Sequence, residues 1–449
     1  MRCHLKKIAS LLLLLVLSVS AFPLHAETLD LATAYRKAME YDARLRAAKA
    51  DNAIYREEVG KARSQLRPNI RGNASRGRST TQRGNKYGFY PADSYNTVNY
   101  GVTFRQTIFN FSSTAAYDQA KLVAMKSDTD FRKEEEMVMV RIAEAYCNVL
   151  FAEDNLAFNN SFKTAAKEQL QQAKKRFAKG VGTLIEVEEA QASYDQADAQ
   201  GIDMQNNLEF SRRELEHLTG IYPSELRAVD AAKLPLFAQQ ESFEVWLERA
   251  RTANASVESA RHEILIAKKE AAKQRGAQYP SLELVAGRNY SESENNYSIG
   301  AIYNTYSVSM QLSWPIYTGG YGSSSIRQAD AKKIKAEEQY SLQVRQMESD
   351  VRKYYNSVAG SIALVKAYQQ AVNSREVALK GMKRGFQAGL RSNVEVLDAE
   401  QKLFASRRDL AKSRYQYILN LLMLKQAAGV LQPQDVDEVN GWFAKASLK

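Results

Sequence analysis

An internal duplication divides this 449-residue chain into two versions of one unit. The segment from Phe177 to Ala190 recurs from Phe386 to Ala399, with glycine, glutamate and valine at matching positions. Each unit is about 200 residues long, far longer than a solenoid repeat, which indicates two duplicated halves and not a stacked array. Further matches follow in the same order in both halves: Gly220 with Gly429, Pro68 with Pro280, and Phe109 with Tyr317.

Each half is predicted to begin with a helix and to continue with two strands. The helices cover residues 31–66 and 243–278. Pro68 and Pro280 end them, because proline disfavours helical geometry in the residue before it. The strands are predicted in two pairs, at 69–80 with 98–104 and at 281–292 with 306–314.

Two of these strands alternate between apolar and polar residues over about ten positions, which is typical of strands in a membrane β-barrel. Their apolar positions are Val98, Tyr100, Val102 and Phe104 in the first half, and Tyr306, Val308, Met310, Leu312 and Trp314 in the second. Polar loops around 83–96 and 293–302 join the strands of each pair. Aromatic residues that could form the girdle of a barrel are Tyr87, Phe89, Tyr90, Tyr95, Tyr297 and Trp314.

A soluble hairpin with one face on a core would alternate in the same way. A secretory signal and four alternating segments together favour the membrane. After residue 26, no apolar stretch is long enough for a transmembrane helix, so a chain of this kind would enter a membrane as a closed barrel. Four strands cannot close a barrel, because about eight are the usual minimum, and several chains must therefore pool their strands.

The rest of each half is predicted to be helical. Residues 112–179 contain no proline and would form a helix on the order of 100 Å long, which cannot fold back into a compact domain. The last helix has heptad spacing typical of helices that pack side by side in a supercoil. Its main apolar row is Val396, Leu403, Leu410, Tyr417 and Leu424.

The first 26 residues are predicted to be a secretory signal peptide. Arg2, Lys6 and Lys7 are followed by a short leucine-rich apolar run and then by small and polar residues up to Ala26. Cys3 lies at the wrong end of that run for lipid attachment at the cleavage site. The mature chain is therefore predicted to begin near Glu27 without a lipid anchor.

Few residues in the mature chain are suited to catalysis. Cys147 is its only cysteine and lies in an apolar helical stretch, where a packed, inert thiol is expected. His217 and His262 are far apart in sequence and give no zinc spacing and no nucleophilic pair. The net charge of +11 is spread along helices beside 51 acidic residues, which favours a solvated surface over nucleic-acid binding. No enzyme activity, cofactor or nucleic-acid partner is expected.

The order of these elements resembles the TolC family of outer-membrane efflux and secretion ducts. Segments that carry the resemblance are 66–70, 279–284, 314–320 and the two turns at Gly180 and Gly389. The resemblance implies a mainly α chain that forms a homotrimer, with four strands per chain in a twelve-stranded outer-membrane β-barrel. A long α-helical coiled-coil barrel would continue it through the periplasm of a Gram-negative bacterium. The sequence has no cysteine placed for lipid attachment. In this respect it resembles the type I secretion branch of the family more than the acylated drug-efflux branch.

The resemblance also implies partners. The duct would lie in outer-membrane lipid and dock on a periplasmic adaptor protein bound to an inner-membrane pump or ABC transporter, which supplies the energy. Protein toxins, drugs and metals all leave through ducts of this kind, and the sequence does not distinguish among them. A periplasmic coiled-coil adaptor or scaffold is the alternative, since it would also be secreted and helical but would not need the strands.

Family roles can be placed on matching residues of this sequence. The resemblance implies a gate lock of Arg391 with Glu186, and it places Phe386 where the family has a tyrosine. Glu395 and Asp398, spaced i, i+3 on one helix face, match the acidic pore constriction and could hold a divalent cation. The predicted adaptor-contact tips are Gly180, Val181, Gly182, Thr183, Gly389, Leu390 and Ser392.

These interpretations divide the chain into segments in the order of the sequence. They are 1–26 (signal peptide), 27–68 (periplasmic helix), 69–111 (outer-membrane hairpin), 112–220 (periplasmic helices with a tip at 180–183), 221–242 (connector), 243–279 (second periplasmic helix), 280–318 (second outer-membrane hairpin), 319–429 (second pair of periplasmic helices with a tip at 389–392) and 430–449 (C-terminal tail).

Overall fold

A computed structural model describes residues 29–236, 241–294 and 300–444. The predicted signal peptide and Tyr297 lie outside these ranges. The first half contains α1 (Leu31–Tyr41), α2 (Ala43–Ser64), β1 (Asn69–Thr81), β2 (Gly84–Asn85), β3 (Gly88–Phe89), β4 (Asp93–Phe109), α3 (Phe111–Ala178) and α4 (Leu184–Thr219). The second half contains α5 (Phe243–Ala253), α6 (Ala255–Gly276), β5 (Ser281–Ser293), β6 (Ala301–Ser313), α7 (Tyr321–Gln387) and α8 (Asn393–Ala427), followed by α9 (Pro433–Asn440). The duplicated helix–strand unit is confirmed.

The helix that begins each half is interrupted, so the prediction of one continuous helix was wrong in both copies. Asp42 separates α1 from α2 and accepts hydrogen bonds from the backbone N–H groups of Arg44 and Leu45. Asn254 separates α5 from α6 and accepts from Val257. Short polar side chains favour the first position of a new helix, because they satisfy backbone N–H groups that have no partner inside it.

The four long strands form one antiparallel sheet in the order β1-β4-β5-β6. The two halves meet between β4 and β5, where Tyr100 lies opposite Tyr290 and their rings stack at 4.5 Å. Ile70, Phe104, Ala286 and Val308 are aligned across the four strands on one face, which also carries Arg288. β1 and β6 are the sheet's edges within the described ranges. Trp314 follows β6 and is exposed.

The long helices pair into two hairpins. α3 (68 residues) and α7 (67 residues) are each about 100 Å long, and each packs along the shorter helix that follows it. We call α3 with α4 the first hairpin and α7 with α8 the second hairpin. The whole predicted heptad row of α8, from Val396 to Leu424, is buried, which confirms it as packing. Among the described helices, none has an apolar stretch long enough to span a bilayer.

Residues 430–444, the described part of the predicted C-terminal tail, pack against the core. α9 buries Val436 and Val439, and Trp442 and Phe443 are buried after it. The fully buried Tyr146 ring meets Phe443 edge to face, and its hydroxyl accepts a hydrogen bond from the Arg227 N–H. The connector and the C-terminal segment therefore pack together against α3.

Cys147 lies beside this junction and is buried, as predicted. Burial raises the pKa of its thiol to about 12. Because the thiolate is the reactive form, this cysteine is inert at neutral pH.

Candidate functional site: the two hairpin tips

Each hairpin ends in a tight turn at the position predicted for a tip. Gly180 and Gly389 have φ angles of 72° and 75°, a left-handed conformation that glycine adopts without steric cost. Apolar side chains stand in solvent beside both glycines: Val181 is 66 % exposed, Ile185 70 % and Leu390 80 %. Exposed apolar side chains clustered at one end of a molecule are typical of a surface that binds a partner.

The two tips start their second helix with the same capping box. Thr183 Oγ1 accepts from the backbone N–H of Glu186, whose carboxylate accepts from the Thr183 N–H in return. Ser392 and Glu395 form the equivalent pair, with 2.7 Å between the Ser392 nitrogen and Glu395 Oε2. This box satisfies two backbone donors that the start of a helix leaves free. Glu186 and Glu395 are therefore structural residues of the turns.

Arg391 contacts its own hairpin in the structure. Its guanidinium donates to Glu395 Oε1 at 2.9 Å. Hydrogen bonds from the Ser392 backbone first, and from Arg391 second, lower the pKa of the Glu395 carboxyl. Glu186 is occupied by the first capping box, and the structure of one chain does not bring it to Arg391. The lock between these two residues stays a prediction.

Asp398 lies one turn along α8 from Glu395, as the i, i+3 spacing predicted. Lys402 donates to its Oδ2 at 2.5 Å. Each carboxylate of the predicted pore constriction thus has a cation next to it in the same chain. No cluster of three or more acidic, histidine or cysteine ligands that could hold a metal occurs in the ranges that the structure describes.

The ring of Phe386 lies under the guanidinium of Arg176, a residue that the sequence did not mark as part of the site. The Arg176 Cζ is 5.1 Å from the centre of the Phe386 ring, within the range of a cation–π contact. Arg176 belongs to α3 and Phe386 to α7, so the contact joins the two hairpins. Both side chains are half-buried, whereas Lys175 and Phe177 beside Arg176 are exposed.

Three further contacts join the hairpins at successive points along α8. Tyr415 donates to Asp154 at 2.7 Å, and burial raises the pKa of both groups. Closer to the tips, the Phe404 and Phe162 rings are 6.3 Å apart. Next comes Leu397, which packs into a cluster whose other buried members all belong to the first hairpin: Ala166, Leu170, Ala173, Val187 and Ala190.

Comparison with known proteins matches both halves of the chain to one protein family. The family model described as "Outer membrane efflux protein" matches residues 34–221 and 246–430. The chain is 33% identical to "Outer membrane protein TolC" of Vibrio cholerae, over 92% of this chain and 93% of the relative. It is 31% identical to "Alkaline protease secretion protein AprF" of Pseudomonas aeruginosa, over 96% and 89%. A crystal structure of CusC has the same fold, with a TM-score of 0.76, 18% identity and coverage of 90% of this chain and 92% of that one.

Proposed function

The chain belongs to the outer membrane efflux protein family, and we propose on that premise that three copies of it assemble into one exit duct. It is an outer-membrane channel of the efflux and type I secretion kind and not an enzyme. Its helices form the periplasmic part of a Gram-negative export route. We propose in addition how many copies assemble, that their strands close one barrel, which proteins dock on the duct and what it exports.

The observation that carries the proposal is a four-stranded sheet whose outer strands, β1 and β6, each have one edge without a partner strand in the described part of the chain. The apolar rows of β4 and β6 lie on the same face of this sheet. Unpaired N–H and C=O groups on β1 and β6 would be costly in hydrocarbon, because no water is there to bind them. Pairing β6 of one copy with β1 of the next satisfies both edges. Three copies then supply twelve strands, within the range of closed membrane barrels.

The tips support a docking role at the other end of the duct. We propose that Val181, Ile185 and Leu390 pack against a periplasmic adaptor protein, which connects the duct to an inner-membrane pump or ABC transporter. The left-handed glycines and the capping boxes of Thr183 and Ser392 define the backbone of the two turns from which these side chains project. AprF is named for the secretion of a protease. By that likeness, proteins are the first cargo to test, with small toxic compounds second.

The proposed gate is Arg391 acting with Glu186, with the ring of Phe386 beside them. A guanidinium has five N–H donors, so Arg391 can keep Glu395 and still reach a second carboxylate. Such a lock would keep the periplasmic end narrow until the adaptor binds.

Purified mature protein is expected to form a trimer that heat converts to monomers, and to give small, stable current steps in planar bilayers. Arg391→Ser should enlarge the steps, because it removes the lock. Arg384→Ser, at an exposed position on α7, is the matched control and should keep the steps small. Folded protein that neither forms a trimer nor conducts would overturn the duct in favour of a periplasmic scaffold.

A ring of Glu395 and Asp398 should make the duct prefer cations, because a trimer brings six carboxylates around one axis. Glu395→Gln with Asp398→Asn removes these charges, and glutamine still completes the capping box. We expect a several-fold lower cation-to-anion permeability ratio and weaker block by divalent ions. The control is Glu188→Gln with Glu189→Gln, two exposed carboxylates of the first hairpin. Unchanged selectivity in the first variant would place the ring elsewhere.

A further inference from the structure

The helices next to the sheet follow the same lateral order as the strands. α3 packs against α2 of its own half and against α6 of the other half, and α7 packs against α6. In the described part of the chain, α2 and α7 are therefore the outer helices at this level, as β1 and β6 are the outer strands. α2 leads into β1, and α7 follows β6. On each side, the unpaired strand edge and the outer helix form one continuous lateral surface.

Two ion pairs join the halves where α3 packs against α6. The Lys269 ammonium donates to Asp118 Oδ2 at 3.0 Å. Further along α3, away from the sheet, the Lys126 nitrogen lies 3.9 Å from Glu263 Oε2. These pairs define the register of the contact between the two halves.

The internal duplication assigns a counterpart to each of these four residues. Counterparts in α3 and α7 are separated by the same number of positions as Gly180 and Gly389. Those in α2 and α6 are separated by the same number as Pro68 and Pro280. On this basis Asp118 corresponds to Arg327, Lys269 to Glu57, Lys126 to Lys335 and Glu263 to Asp51.

The four counterparts are charged and lie on the two outer helices. Arg327 and Lys335 are exposed on α7, and Glu57 and Asp51 are exposed on α2. Among the residues that the structure describes, Lys335, Glu57 and Asp51 have no ion-pair partner. The charges that would repeat the contact between the halves are therefore available to another molecule.

The apolar positions of α2 show the same missing neighbour. Ile54 on α2 is 56 % exposed. Its counterpart Ile266 lies on α6, which has a long helix on each side, and is 9 % exposed. Because the two side chains are identical and occupy the same place in the repeat, the difference shows that α2 lacks a neighbour of the kind that covers α6.

We propose that this neighbour is α7 of a second copy, packed against α2 in the register that α3 and α6 have within one chain. Arg327 then lies opposite Glu57, and Lys335 lies opposite Asp51. Both pairs join opposite charges, and the first has its signs reversed relative to Asp118 and Lys269. We call this contact the seam. The inference rests on the proposed duct and identifies the surfaces through which its copies meet.

The reversed pair also determines which halves can meet. Packing α3 against α2 of another copy would place Asp118 opposite Glu57, and packing α7 against α6 of another copy would place Arg327 opposite Lys269. Both combinations bring like charges together, which disfavours contact between like halves. Opposite charges at every contact require first and second halves to alternate, as they do in a closed ring of whole chains.

Charge reversal tests the seam in the purified trimer. Glu57→Lys and Arg327→Glu should each speed heat dissociation of the trimer in detergent roughly ten-fold, because repulsion replaces attraction in three equivalent seams at once. The double variant again has opposite charges and should dissociate at about the rate of the unaltered protein. Lys49→Glu is the matched control on α2. Its counterpart Arg261 stays exposed on α6, so the position faces neither neighbouring helix and the rate should not change.

Chemical cross-linking tests the register of the seam. In trimers that carry Glu57→Cys with Arg327→Cys, a short bis-maleimide should produce covalent dimers and trimers on denaturing gels. The buried Cys147 should not react. Glu57→Cys with Lys335→Cys is the register control, because Lys335 lies about 12 Å along α7 from Arg327, and it should give few covalent dimers.

The outcomes separate the seam from the proposed duct. A trimer without covalent dimers from the first cysteine pair, or with unchanged dissociation in both single charge reversals, would overturn the seam alone. Unaltered protein that forms no trimer would overturn the duct and the seam together.

Discussion

Gly429→Ala is expected to destabilise the chain by about 2–5 kcal/mol. Gly429 follows α8 with a φ angle of 69°. A Cβ there would lie 2.4 Å from the Ala253 carbonyl carbon and oxygen and 2.6 Å from the Asn254 nitrogen. Left-handed strain contributes about 1–2 kcal/mol of this cost and overlap with backbone atoms about 1–3 kcal/mol.

Two other glycines with left-handed backbone supply graded controls for this substitution. Gly180→Ala has the same strain at a φ angle of 72°, with no atom within 4 Å of the new Cβ. Gly220→Ala adds contact with the Tyr41 ring at 2.8 Å, but that ring is 52 % exposed and can move. The temperature at which helical circular dichroism is lost should fall least for Gly180→Ala and most for Gly429→Ala. An equal fall in this temperature for the three variants would show that overlap with Ala253 does not contribute to the loss of stability.

Glu136→Gln is expected to stabilise the protein above pH 7 and to have no effect below pH 4.5. Burial raises the pKa of the Glu136 carboxyl to about 7, whereas Arg132 and Lys133 lower it and Glu135 raises it. In the unfolded chain the carboxyl loses its proton near pH 4.5, so folding takes up a proton between these two values. The free energy of unfolding therefore falls as pH rises through this window, by roughly 3 kcal/mol.

Urea unfolding of the unaltered protein and of Glu136→Gln at pH 4.5, 6 and 8 measures this effect. The difference between the two proteins should grow with pH and level off above pH 7. Glu188→Gln, at an exposed position, should show no such growth. A constant difference at all three values would mean that Glu136 acts through its packing and not through its charge.

The elements of this fold could be predicted because their signals are local. Alternation at every second residue marked β4 and β6, and the heptad row from Val396 to Leu424 marked the buried face of α8. The positions of both tips followed from Gly180 and Gly389, since few residues other than glycine adopt their left-handed backbone.

The site was predicted only in part. The turns, and the spacing of Glu395 and Asp398 on one helix, lie where the sequence placed them. The partner of Arg391 within the chain, Glu395, was not foreseen. Arg176 was missed as well, although the alignment of the two tips would have marked the exchange of arginine and glycine between the halves. This exchange could be interpreted only with the structure, because the sequence does not show which of the two arginines contacts the ring of Phe386.

The amino-acid sequence by itself determined the duplication, the strands, the long helices and the tips, because periodicity and helix-ending residues act within a few positions of the chain. The tertiary structure decided the rest. It interrupted the first helix of each half at Asp42 and Asn254, where Gly220 and Gly429 pack against neighbouring residues. It buried the C-terminal segment against α3 and set Arg176 on Phe386. These contacts join residues up to several hundred positions apart, and their partners are selected by the packing of whole helices, which no local pattern encodes.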